Sequence, residues 1–238
     1  FRVIGIAVVA VALLFLAVAP FSSFKRSLTV SVERFSPPAF SLPDEVTMLF
    51  VGDIMLGRAV ERISKGEGRT YPFVHIQPLL SSVDVVVGNL EGPIPDVHIP
   101  TESFSFGFSF PPGTAKVLAE HNIKLVSLGN NHALDQGGVG LLQTKEKLKQ
   151  SGVLFAGDPY ELGSVSVATT TLGSQEFVFI FINATYPSFQ KEKAIELVGN
   201  TSANYPRSFR IVGIHWGEEY ATTSSPAQQE LAHAFVDR

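Results

Sequence analysis

Short apolar runs alternate with stretches of helical periodicity along most of this chain, and this alternation limits its fold more than any other feature. Strand-helix alternation is typical of parallel strands joined by crossover helices. We therefore predict an α/β fold in which helices cover the sheet. The predicted strands are Val46–Val51, Val83–Val87, Lys124–Leu128, Val153–Phe155, Val165–Thr171, Phe177–Asn183 and Arg210–Ile214. The predicted helices are Arg58–Lys65, Pro112–His121, Gly140–Gln150 and Pro226–Asp237.

The later strands differ in their connections from the earlier ones. The segment from Leu172 to Glu176 joins two predicted strands and favours a hairpin. A first part with crossovers and a second part with a hairpin favour a layered α/β sandwich. Hydrophobic residues make up 45% of the chain and charged residues 17%, which excludes a disordered, collagen-like or coiled-coil protein.

The first 45 residues have a different character. Val3–Ala19 is a run of uncharged, mostly apolar residues, and basic residues stand on both sides of it. Its length suits a short transmembrane helix or the core of a signal peptide, and a buried core helix is the third alternative. Pro20 directly after the small residues disfavours cleavage, so we expect a single-pass membrane anchor. We predict an anchor or signal peptide at residues 1–21, a Ser/Pro linker at 22–45, and an extracytoplasmic domain at 46–238 that is incomplete at its C-terminal end.

Charge and cysteine content exclude several classes of protein. The formal net charge is −4, and residues 46–238 account for −5 of it, so we expect no nucleic-acid partner. The chain has no cysteine, which excludes a disulfide framework, a thiolate metal site and a cysteine nucleophile. Any metal ion must be held by oxygen atoms and imidazole.

Ligand-type side chains follow four of the predicted strands. In an open α/β sheet, residues just past the carboxyl ends of parallel strands converge on one crevice. Asp and Asn are also common turn residues, but a turn requires neither His132 nor His215, and Glu91 is a poor turn former. We predict a site for one or two divalent ions of Mn, Fe, Zn or Mg, and two such ions favour hydrolysis. The segments are Gly52–Arg58, Gly88–Pro93, Gly129–Gly137 and His215–Tyr220.

These four segments resemble, in the same order, the motifs of the CapA family, the bacterial poly-gamma-glutamate capsule synthesis proteins. The resemblance covers about Val46 to Arg238, and the Asn-Asn-His and His-Trp-Gly motifs are its most specific parts. That family in turn is similar to the calcineurin-like metallophosphoesterases. The resemblance implies a four-layer αββα sandwich with a dimetal site at the strand ends.

The resemblance also implies roles for single residues. Asp53, Glu91, Asn131 and His215 match metal ligands, and His132 matches a general acid or oxyanion donor. Two positions depart from the phosphoesterase pattern: Met55 stands where that pattern has a histidine, and the last histidine pair would fall beyond Arg238. Four further residues are predicted to contact substrate, although each also has a structural interpretation: Arg58, Asn89, Asn130 and Trp216. Asp135 either orients His132 or caps the following helix, and we favour the cap.

Two functions remain open. The first is a membrane-anchored metal-dependent hydrolase in poly-gamma-glutamate capsule synthesis that acts on a phosphoester or a cell-surface polymer. The second is a non-catalytic component that assembles capsule or binds an anionic polymer; a plain structural domain is a third alternative. We expect the membrane, capsule-polymer synthesis proteins and an anionic polymer as partners.

Four phenylalanines alternate with small residues from Phe104 to Phe110. A period of two predicts a strand or extended segment with four rings on one face. We expect this face to pack onto the sheet. The alternative is an adhesive surface for a partner or the membrane.

Overall fold

A computed structural model describes residues 45–238 of the chain. The predicted anchor, and all of the predicted linker except Glu45, lie outside the described residues. Within residues 45–238, no helix combines the length and the apolar character needed to cross a bilayer. The strands are β1 Met48–Ile54, β2 Val85–Leu90, β3 Ile123–Ser127, β4 Leu154–Ala156, β5 Val167–Leu172, β6 Gln175–Asn183 and β7 Phe209–His215. The helices are α1 Arg58–Glu67, α2 Gln77–Leu80, α3 Thr114–Glu120, α4 Gly137–Gln150, α5 Lys191–Asn204 and α6 Pro226–Val236.

The described strands form two sheets. In the first sheet the order is β1-β2-β3-β4 and every pairing is parallel. In the second sheet the order is β5-β6-β7, with an antiparallel hairpin of β5 and β6 and a parallel pairing of β6 with β7. Parallel pairing brings the carboxyl ends of β1, β2 and β3 to one edge, where Asp53 pairs with Asn89.

Three clusters of buried apolar residues separate the layers. One packs the first sheet against α3 and α4, and includes Val86, Leu118 and Leu148. The second lies between the two sheets, and the third packs the second sheet against α5 and α6. The order of layers is therefore helix, sheet, sheet, helix. The predicted mixed α/β class with a parallel sheet is confirmed.

The observed secondary structure differs from the predicted one at two places. Helix α5 was not predicted, because two of its three buried residues are the small Ala194 and the polar Thr201, which weakens its apolar periodicity. From Phe104 to Phe110 the sequence predicts a strand or extended segment whose four rings pack onto the sheet; no strand forms there, and the expected packing of all four rings is wrong. The later amides of this segment bond to a side chain or an isolated carbonyl instead of a neighbouring strand: Phe108 N donates to Asp135 Oδ2 and Phe110 N to Pro93 O. Phe108 and Phe110 are buried, whereas Phe104 and Phe106 are exposed.

Candidate metal-binding site

Two carboxyl groups and an imidazole meet at the edge where the strands end. Asp53 lies near the end of β1, Glu91 directly follows β2, and His215 is the last residue of β7. One ligand atom from each lies within 4.8 Å of the other two. The group therefore joins the first sheet to the second. The sequence predicts these three ligands from their positions just after strands. The observed β1 and β7 are longer than predicted and include Asp53 and His215.

The two carboxyl groups have opposite electrostatic environments. The pKa of Asp53 is lowered, first by the neighbouring imidazole of His215, whose Nδ1 lies 3.6 Å from Asp53 Oδ1. The pKa of Glu91 is raised to about 7, first by burial and then by the neighbouring carboxyl group of Asp53. Without a cation the pair therefore carries one negative charge below about pH 7 and gains a second as the pH rises above that value. A divalent ion would relieve the repulsion between the two carboxylates.

Three asparagines surround this group. Asn89 Nδ2 donates to Asp53 Oδ1 at 2.8 Å. Asn131 Oδ1 lies 2.7 Å from His215 Nε2, so the amide oxygen accepts the imidazole proton. Asn130 is fully buried, and its Nδ2 donates to Asn89 Oδ1 and to the carbonyl oxygen of Leu90. Asn89 and Asn131 thus contact the group directly, whereas Asn130 holds Asn89 in place.

His132 lies beside the group with a fixed ring. Its Nδ1 donates to Asp135 Oδ2 at 2.8 Å, because a carboxylate only accepts. Its Nε2 points toward Glu91, with 3.8 Å between Nε2 and Oε1. The ring stacks on Phe108 with 4.1 Å between centroids. The preference for Asp135 as a cap is wrong: Gln136 occupies the N-cap position of α4, and Asp135 orients His132. Phe108 was not predicted at the site, since its period-two pattern predicted a face that packs onto the sheet.

The other predicted residues lie at varied distances from the group. The Arg58 guanidinium donates to the carbonyl oxygen of Ser105 and lies over the ring of Phe108, so it reaches the site through the residue stacked on His132. Trp216 packs into the third apolar cluster with α5 and α6. Met55 accepts a hydrogen bond at its sulfur atom from Gly57 N, within its own loop. The predicted substrate contacts of Arg58, Asn89, Asn130 and Trp216 stay predictions.

The donor set fits a divalent ion by its chemistry. Carboxylate oxygen, amide oxygen and imidazole nitrogen suit Mn, Fe, Zn or Mg, and the chain has no thiolate to favour a softer ion. The ligand atoms of Asp53, Glu91 and His215 already lie close enough to share one ion. Asn131, whose Oδ1 accepts from His215 Nε2, offers a further ligand oxygen beside them.

Comparison with known proteins gives the family. Residues 47–238 match the family described as bacterial capsule synthesis protein PGA_cap. The chain is 29% identical over 224 residues to the capsule biosynthesis protein CapA of Bacillus anthracis, covering 86% of this chain and 54% of that protein. It is 25% identical over 252 residues to the PGA biosynthesis protein CapA of Bacillus subtilis (strain 168), covering 96% of this chain and 62% of that protein. The chain thus spans between half and two thirds of these relatives.

A solved structure supports the fold alone. A hypothetical protein from Thermus thermophilus superimposes with a TM-score of 0.52 and 17% sequence identity, over 81% of this chain and 64% of that one. The family match spans every described strand and helix, from β1 to α6. The predicted resemblance to CapA proteins is confirmed, and the chain belongs to the bacterial capsule synthesis protein family PGA_cap.

Proposed function

We propose that this domain is a divalent-metal-dependent hydrolase of the calcineurin-like type that serves capsule synthesis. The observation that carries the proposal is the convergence of Asp53, Glu91 and His215, whose ligand atoms lie within 4.8 Å of one another at the ends of strands from two sheets. Partly buried charges held this close together lower the stability of the fold unless a bound ligand compensates them.

Each residue has a role in this proposal. Asp53, Glu91, Asn131 and His215 would hold the ion, which when bound would activate water and stabilise negative charge on the bond being cleaved. His132 holds its Nδ1 proton against Asp135, so Nε2 is its free nitrogen on the side of Glu91. From there His132 would donate a proton to the leaving oxygen or hydrogen-bond to the developing oxyanion.

The substrate is either a phosphoester or an amide or ester of a cell-surface polymer. The names of the Bacillus relatives state capsule and PGA biosynthesis, and we extend this process to the present chain. In this proposal the domain lies outside the cytoplasm, tethered by the predicted membrane anchor. Its partners would be capsule-polymer synthesis proteins and an anionic polymer such as poly-gamma-glutamate.

Metal binding and turnover test the proposal together. Calorimetric titration of the chelator-treated chain with Mn²⁺ and Zn²⁺ should show binding at micromolar levels, and Asp53→Asn and His215→Ala should abolish it. The metal-loaded chain should hydrolyse a chromogenic phosphodiester or release fragments from poly-gamma-glutamate. His132→Gln should lower turnover by about 10²- to 10⁴-fold while metal binding stays intact.

A matched pair of carboxylate variants serves as the control. Glu91→Gln removes a predicted ligand, whereas Glu192→Gln changes an exposed residue on α5. Only Glu91→Gln should weaken metal binding. If the unchanged chain binds none of these ions at micromolar levels, the hydrolase proposal is wrong.

One observation favours the non-catalytic alternative. Met55 occupies a position where the phosphoesterase pattern has a histidine, and its sulfur atom is engaged within its own loop. Among residues 45–238 the group of carboxylate and imidazole ligands contains three members, enough for one ion. A chain that binds one ion and poly-gamma-glutamate but cleaves neither substrate would be a polymer-binding component of capsule assembly.

A further inference from the structure

The loop of residues 97–107 carries four exposed apolar side chains. Val97 is 80% exposed, Ile99 71%, Phe104 93% and Phe106 72%. Exposing a large apolar side chain to water costs free energy. Four such side chains on one loop therefore indicate an interaction surface. We call this segment the apolar loop.

The apolar loop is fastened to α1 by polar contacts near its tip. The Arg58 guanidinium donates to the carbonyl oxygen of Ser105, and its carbon atom lies 5.4 Å from the centre of the Phe106 ring. Arg62 donates to Ser103 Oγ at 3.2 Å. The backbone of Arg58 has a φ of 52°, a strained value for a residue with a side chain, which these contacts help to hold. The loop is therefore bound to α1 at Ser103 and Ser105, while Phe104 and Phe106 stay exposed.

Cationic side chains line two cavities beside the same loop. Arg62 and Lys65 line a cavity of about 400 Å³ with Pro100 and Ser103. Lys65 and Arg69 line an adjoining cavity of about 630 Å³ with His98. The acidic residues of this region are Glu102 in the loop, Glu67 at the end of α1, Asp96 in the second cavity and Glu61 in both cavities. Asp96 pairs with Lys147, and Glu61 is buried and paired with His98 and Lys65. Exposed apolar residues flanked by Arg and Lys fit the anionic surface of a lipid bilayer, where rings enter the acyl boundary and cations meet headgroups.

We propose that the apolar loop and the neighbouring cations Arg62, Lys65 and Arg69 form a membrane-binding surface for anionic phospholipid. The four apolar side chains favour a bilayer over a polycarboxylate, which would use the cations alone. Phe106 stands two residues before Phe108, which stacks on His132. Docking of the loop would therefore hold the candidate metal-binding site close to the membrane surface. The proposal does not depend on whether that site is catalytic.

A probe on the loop tests this surface in the full chain. Because the chain has no cysteine, Phe104→Cys and Glu192→Cys each create a single labelling site for the fluorophore NBD. Vesicles of phosphatidylcholine with about one third phosphatidylglycerol should shift the emission at position 104 to the blue. Lipids brominated along the acyl chain should quench position 104 several-fold more than position 192, which lies on α5. A local readout is needed because the N-terminal apolar run could itself hold the chain in vesicles.

Substitutions should separate the contribution of the apolar side chains from that of the cations. In the Phe104→Cys background, Phe106→Ser and Ile99→Ser together should remove the quenching by brominated lipid. Arg62→Gln and Arg69→Gln should each lower the anionic-vesicle response by about fivefold, with little effect in vesicles of phosphatidylcholine alone. A melting temperature equal to that of the parent would show that the folded domain is intact in each variant.

Three results would overturn the proposal. The first is a probe at position 104 that stays in water, or is quenched no more than the probe at position 192. The second is a blue shift produced by soluble poly-gamma-glutamate without vesicles, which would assign the surface to a polymer. The third is a shift that grows with protein concentration alone, which would assign it to a second copy of the chain.

Discussion

Asp53 and Glu91 are similar carboxyl groups that the fold holds in different protonation states. Asp53 accepts from Asn89 and faces His215, and its pKa is lowered. Glu91 is more deeply buried beside a carboxylate, and its pKa is raised to about 7. A raised pKa means that the folded protein resists the charged form that a metal ion requires. The proton and the ion therefore compete for Glu91.

The pH dependence of stability should reveal this competition. In the metal-free protein, folding raises the pKa of Glu91 from 4.5 to about 7. Between these values the folded state holds a proton that the unfolded chain has lost, so the free energy of unfolding should fall as the pH rises through this window. The lowered pKa of Asp53 acts in the opposite direction, but its effect is complete above its ordinary value of 3.8.

Glu91→Gln should remove the fall in stability, because glutamine does not titrate. Urea unfolding in the presence of a chelator gives the free energy of unfolding at about pH 5 and about pH 7.5, and the difference between them measures the effect. Glu192→Gln is the matched control and should keep the slope of the parent. A parent protein whose stability is flat or rising across this interval would contradict the raised pKa of Glu91.

His132 has its orientation set by Asp135, and this can be tested apart from turnover. Asp135→Ala removes the acceptor of the Nδ1 proton. Nitrogen NMR of labelled histidine should then show His132 moving from the Nδ1-protonated tautomer to a mixture. Turnover should fall by about 10- to 100-fold, as is usual when the partner of a site histidine is lost.

Asp96→Ala is the control for this test, since that carboxylate pairs with Lys147 and does not contact His132. It should leave the His132 tautomer and the turnover unchanged. If Asp135→Ala also leaves the tautomer unchanged, Asp135 does not orient the ring.

At the scale of elements, the end of β3 depends on a close approach of two chain segments. Gly157 follows β4 and has a φ of 98°. A Cβ atom there would lie 2.4 Å from the backbone nitrogen of Gly129, directly before Asn130. No side-chain rotation can relieve a contact with backbone. The position of Asn130, and through it of Asn89, therefore requires glycine at 157.

Gly157→Ala should destabilise the domain by about 2–4 kcal/mol, from the left-handed backbone and the clash together. It should also weaken metal binding, because the β3 end must shift. Gly138→Ala is the matched control: no atom lies within 4 Å of a Cβ at this exposed position in α4. Alanine there should stabilise by about 0.5–1 kcal/mol. Equal effects of the two substitutions on unfolding in urea would contradict this account.

The elements also show how far the sequence predicts the structure. Apolar runs located the strands, and the residues after them located Asp53, Glu91 and His215, because parallel strands place their carboxyl ends at one edge. Phe108 was not predicted at the site, because the alternation from Phe104 to Phe110 indicated packing onto the sheet, whereas the Phe108 amide bonds to the Asp135 side chain. A period of two does not reveal such a contact. Asp135 was assigned wrongly because an aspartate between His132 and the start of α4 could either cap the helix or accept the histidine proton. The sequence does not distinguish the two roles.

At the scale of the whole molecule, the candidate metal-binding site joins two sheets that otherwise meet through apolar side chains. Asp53 lies in β1 and Glu91 directly after β2, both strands of the first sheet, and His215 lies in β7 of the second. The sheets contact each other through residues such as Val87, Leu125 and Phe179. An ion bound by all three ligands would connect the layers at their polar edge. Such an ion binds the folded state alone, so it should raise the stability of the domain as a unit.

Thermal unfolding should measure this linkage without any assay of turnover. The melting temperature of the chelator-treated chain should rise with Mn²⁺ concentration, and the gain should reach about 2.7 kcal/mol at 100 times the dissociation constant. Excess chelator should reverse it. His215→Ala should lose the whole gain, because it removes the only one of the three ligands contributed by the second sheet. His233→Ala, at an exposed position of α6, should keep it. A His215→Ala variant that gains as much as the parent would place the ion on the first sheet alone, and the two layers would then be held together by their apolar interface without help from metal.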